Sequence, residues 1–77
     1  MAGEIPTPAE RAERRAELRL VASRLAIVTQ DDTLRNAYAL YSTGANEADI
    51  DYALRGHGVD RSTLVRMIVS NYESQSA

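Results

Sequence analysis

A chain of 77 residues, with a net charge of −2 and a pI near 5.2, holds one small domain. A domain of that size buries only about 60% of its unfolded surface, which excludes a deep substrate cleft. With no cysteine, tryptophan or phenylalanine it has no disulfide or thiolate metal site, and its core must be aliphatic with help from four tyrosines.

Residues 1–6 read as a flexible tail. Thr7-Pro8-Ala9-Glu10 then places a capping threonine, a proline at the first helical position and a glutamate three residues after the cap, which together start a helix at Pro8. Its body is rich in Ala, Leu, Arg and Glu, all strong helix formers, and the spacing predicts a helix over 8–29. Asp31 and Asp32 cap a second helix in which Leu34, Ala37, Tyr38 and Tyr41 share a face, with Gly44 as its left-handed stop. Asn46 caps a third, short helix that buries Ile50, Ala53 and Leu54 and ends at Gly56. Asp60 caps a fourth, with Leu64, Met67, Ile68 and Tyr72 facing inward. No segment alternates with a period of two, so the fold class is all-α: a bundle of about four helices, a single domain over 7–73, followed by a flexible tail at 74–77.

The first helix has two apolar arcs. Leu18, Val21, Ala22, Leu25 and Val28 form one, and Ala9, Ala16, Leu20 and Ile27 form another nearly opposite. Either later helices wrap around it on both sides, or Ala16, Leu20 and Ile27 make a seam for a second copy or another protein partner. The same helix sorts its charges, with Arg11, Arg15 and Arg19 in one row and Glu10, Glu13 and Glu17 in another. Pairs such as Glu10 with Arg14 account for part of this pattern.

Catalytic parts are missing. The single histidine, His57, sits between two glycines as an exposed turn residue, with no cysteine to join it in a metal or nucleophile site. The acidic pairs at 31–32 and 49–51 lack the spacing of a calcium loop and read as helix caps. The chain is therefore expected to be no enzyme and to use no cofactor or metal. No apolar run approaches the about 18 residues needed to span a bilayer, and residues 1–10 lack the pattern of a signal peptide, so no membrane association and a cytoplasmic location are expected.

One stretch, "LYSTGANEADIDYALRGHGVDRSTLVRMI", points further. Gly44, Ile50, Leu54, Gly58, Val59, Ser62, Thr63, Leu64, Arg66 and Ile68 follow one another as helix stop, short helix, turn and second helix. Residues 41–70 thereby resemble the helix-turn-helix of resolvase-type trihelical DNA-binding modules. Asp51 stands where that family has a small residue, and the turn "RGHG" is longer than the family's. The first predicts a looser crossing of the two helices or a shifted register, and the second a changed docking angle. The resemblance implies double-stranded DNA as partner. It places Arg61, Ser62, Val65 and Arg66 at base edges, with Arg55, His57 and Asn46 at backbone phosphates.

Two functions follow from these readings. One is a dimeric helix-turn-helix regulator or accessory factor, phage or mobile-element encoded; the lysine-free, arginine-rich composition is compatible with a GC-rich coding genome. The other is a non-enzymatic assembly, adaptor or inhibitor protein that uses the second apolar face of the first helix. The acidic pI favours the second, and the constellation at 58–68 favours the first.

Overall fold

The computed structural model describes residues 7–76. The chain is all-α, with α1 at Pro8–Val28, α2 at Asp32–Ser42, α3 at Glu47–Leu54 and α4 at Arg61–Ser76. Residues 1–6, read from sequence as a tail, lie outside the described residues. At the other end the helix runs on through Ser76, so 74–76 is not a tail but the last turn of α4.

Each start is set by a local hydrogen bond that satisfies an otherwise orphaned amide. Thr7 Oγ1 accepts from the Glu10 amide at 3.2 Å, Asp31 Oδ1 from Leu34 at 3.0 Å, Asn46 Oδ1 from Asp49 at 2.9 Å and Asp60 Oδ1 from Thr63 at 2.8 Å. The end of α2 is equally explicit. The amides of Gly44 and Ala45 return to the carbonyls of Tyr41 and Leu40, and Gly44 takes φ +81°, a left-handed close that other residues adopt only under strain.

Packing gathers Leu18, Val21 and Ala22 of α1, Ala37 and Tyr38 of α2, Ile50 and Leu54 of α3, and Leu64 and Ile68 of α4 into one core. α2 folds back along α1 and α4 also lies on α1, while α3 bridges α2 and α4. Contact between α3 and α4 is sparse, as a charge at position 51 implies, and Asp51 keeps its carboxylate 60% exposed rather than buried in the crossing.

Two expectations for α1 are corrected. Val28, placed on the buried arc, is 69% exposed because the helix ends there and α2 begins only four residues later. The later helices do not wrap α1 on both sides: Leu20 and Ile27 remain 60% and 78% exposed, since α2 and α4 both dock on the arc centred on Leu18 and Ala22. Met67, expected to pack inward, is at the rim of α4, with its Sδ 4.0 Å from the Tyr38 hydroxyl.

Leu64 and Ile68 are the largest side chains with no exposure at all, so the core is most sensitive there. Ile68→Val should cost about 1 kcal/mol, seen in thermal circular dichroism as a fall in midpoint of about 4–8 °C.

Candidate nucleic-acid interface

Leu64 and Ile68 fix how α4 is rotated, and that rotation sorts the residues singled out as base readers. At about 100° per residue, Arg66 lies midway between the two anchors in sequence and points directly away from them. Ser62, Thr63, Arg66 and Ser70 are exposed along this outward face. Arg61 lies about 140° round the helix from Arg66. Its guanidinium turns toward α3, 3.6 Å from Glu47 Oε1 and, at the edge of ion-pairing range, 4.0 Å from Asp51 Oδ1. Val65 is half-buried on that same side. The four residues are thus divided into an outward pair, Ser62 and Arg66, and a pair that faces the α1–α3 side.

The residues expected at phosphates have definite places too. Asn46 caps α3 with its side-chain oxygen. Arg55 is exposed and stacks its guanidinium 5.4 Å from the centre of the Tyr52 ring. His57 is not the exposed turn residue that its glycine neighbours suggest. Its side chain is only 20% exposed, with Nε2 3.0 Å from Asp31 Oδ2. This contact ties the α3–α4 turn to the start of α2, 26 residues away in the chain. Nothing local in the sequence signals it.

A shallow cleft lies between α1 and the α3–α4 side. Arg15 and Arg19 line it from α1, Glu47, Ile50, Arg61 and Val65 from α3 and α4, and Tyr41, Gly44 and Ala45 from the end of α2. The Arg19 guanidinium lies close enough to Gly44 that a Cβ there would stand 3.5 Å from it. Further toward the start of α1, Arg11, Arg14 and Arg15 continue the face that carries Leu18. α1 is exposed from Pro8 to Glu17, and its first two turns, before Arg15 reaches the cleft, run past the core by about 10 Å at 1.5 Å per residue. Among the described residues, Arg11, Arg14, Arg15, Arg19 and Arg66 form no ion pair. The Glu10–Arg14 pair expected from spacing is not formed, since at an exposed site such a pair is worth only about 0.3–0.5 kcal/mol.

Of these, Arg11, Arg15 and Arg19 were legible as a row but not as a continuation of α4's surroundings. Only the fold brings Arg15 and Arg19 to the same cleft as the first turn of α4. A second depression, lined by Thr63, Arg66, Met67, Ser70, Asn71 and Ser74, runs along the opposite flank of α4. It contains no carboxylate.

Two caps bear on the electrostatics of the site. The Asp60 carboxyl is held below its ordinary value chiefly by the Thr63 amide, then by the Thr63 hydroxyl, with a smaller contribution from the charge of Arg66. Asp31 is held low first by its hydrogen bond with His57 and then by the Leu34 amide. Among the described residues no three metal-ligating side chains come together, and no helix is long and apolar enough to cross a membrane. Comparison with family models, curated proteins and solved structures gives no match.

Because both aspartates ionise more readily in the folded chain, the stability they contribute is complete above the ordinary value of 3.8 and is lost as pH falls through their lowered values. Asp60→Asn keeps a capping oxygen but cannot titrate. Thermal melts of this variant should therefore lose less stability than the parent on acidification from about pH 5 to about pH 2.

Proposed function

We propose that the chain is a small DNA-binding protein of the helix-turn-helix kind, a regulator or accessory factor without a cofactor. In this reading the outward face of α4 enters the major groove and the arginines of α1 lie along phosphates. The supporting observation is the segregation of charge. Arg11, Arg14, Arg15 and Arg19 gather on the side of α1 that leads into the α4 cleft, while Glu10, Glu13 and Glu17 lie round the helix from them. A net charge of −2 weighs against nonspecific attraction to DNA, but a polyanion meets a local face, and the screening length of about 8 Å at physiological salt hides charges on the far side.

Arg66 is the base reader in this account, with Ser62, Thr63 and Ser70 beside it. A bidentate arginine on guanine contributes about 1–3 kcal/mol of discrimination. Arg61 reads no base in this account, because its guanidinium is turned to Glu47 and Asp51, whose exposed carboxylates add little to stability. Asn46 and His57 hold the scaffold, and the phosphate role first expected of those two passes to Arg15 and Arg19.

A second reading is favoured by a different observation. Leu20 and Ile27 stand largely exposed on a helix whose opposite face is already buried, which suits a protein-interaction module working through α1.

Fluorescence anisotropy with short mixed-sequence duplexes across a salt series tests the DNA reading. Arg15→Ala and Arg19→Ala should each lower the salt slope by about one. Arg66→Ala should flatten sequence preference, and Arg61→Ala should leave both nearly unchanged. Absence of binding at low salt, or a loss with Arg61→Ala equal to that with Arg66→Ala, would sink the assignment.

A further inference from the structure

The outer face of α1 carries Ala16, Leu20, Ser23 and Ile27 at alternating steps of four and three, and all are exposed. Steps of this kind make a seam with the 3.5-residue period of a coiled coil, along which two helices pack knobs into holes. Large and small side chains alternate along the seam, which decides how a second copy fits. With two such helices antiparallel about a two-fold axis, Ile27 of one copy lies over Ala16 of the other and Leu20 lies over Ser23. Every large side chain then meets a small one, and the symmetry repeats each contact.

The flanking charges choose the same arrangement. Glu17 and Arg24 lie on one edge of the seam, seven residues and two turns apart. Within one copy they reach neutral groups: Arg24 donates to Gln75 Oε1 at 3.1 Å, and Glu17 accepts from the Tyr72 hydroxyl. In the antiparallel register, Glu17 of each copy faces Arg24 of the other. A parallel pairing would instead set Arg19 against Arg24 across the seam, a like-charge contact at the flanking positions that govern helix orientation.

We propose that α1 pairs antiparallel with α1 of a second copy of this chain through Ala16, Leu20, Ser23 and Ile27, locked by reciprocal Glu17–Arg24 ion pairs. The pairing uses the side of α1 away from the core and from the cleft at α4. It stands apart from the DNA reading and is measured without DNA.

Sedimentation velocity of the full chain from about 1 µM to about 1 mM, the range of weak to moderate affinities, should show a monomer–dimer equilibrium. Ile27→Glu should weaken association by about tenfold or more while circular dichroism reports unchanged helicity. Glu17→Arg or Arg24→Glu alone should weaken it, and the two together should restore it. The swap cycle keeps the test sharp if Ile27→Glu perturbs the fold. A monomer throughout the range, a dimer indifferent to Ile27→Glu, or a double swap no better than either single one would overturn the proposal.

Discussion

The rotation of α4 about its own axis is the constraint on which the account depends. Leu64 and Ile68 sit one turn apart, are wholly buried, and leave α4 one way to lie on α1 and α3. Once they are seated, Arg66 must point outward and Arg61 must turn toward α3. The division of labour between the two arginines is a consequence of core packing. A residue near a helix start can thus be basic, conspicuous and still committed to the scaffold, because Glu47 and Asp51 reach it before any ligand does.

α1 plays a different part on each of its sides. One face carries Leu18, Val21 and Ala22 into the core and, one to two turns earlier, presents Arg11, Arg14 and Arg15 at and beyond its edge. The projecting part exposes the same stripe with its chemistry changed from apolar to basic. Such a stripe is poorly suited to burial and well suited to a polyanion, since each guanidinium is a fixed fork of donors. The opposite face, with Leu20 and Ile27, is left largely uncovered by the described residues.

Helix starts were almost wholly legible because Thr7, Asp31, Asn46 and Asp60 act within three residues of themselves. Gly44 was legible for the same reason. Burial was legible where apolar residues recur on one face, as for Ile50 with Leu54 and Leu64 with Ile68. It failed at Val28, where a helix end leaves a residue of the right phase uncovered. The separation of Arg61 from Arg66 was within reach of helical arithmetic, since five residues put them about 140° apart. The His57–Asp31 contact was not, because the partners belong to loops whose meeting only the tertiary fold decides. Nor was the cleft at Gly44 and Ala45, which needs α1, α3 and α4 in place before Arg15 and Arg61 line the same space.

The central claim is that the outward side of α4 and the arginines of α1 together meet DNA on a mildly acidic chain. An amide-resolved NMR titration of the labelled protein with a short duplex, at low and near-physiological salt, tests it most directly. The account predicts shifts confined to the exposed face of α4 around Ser62 to Ser70 and to α1 from Arg11 to Arg19, weakening steeply as salt rises through counterion release. Shifts centred instead on Leu20 to Ile27, or none at low salt, would contradict it.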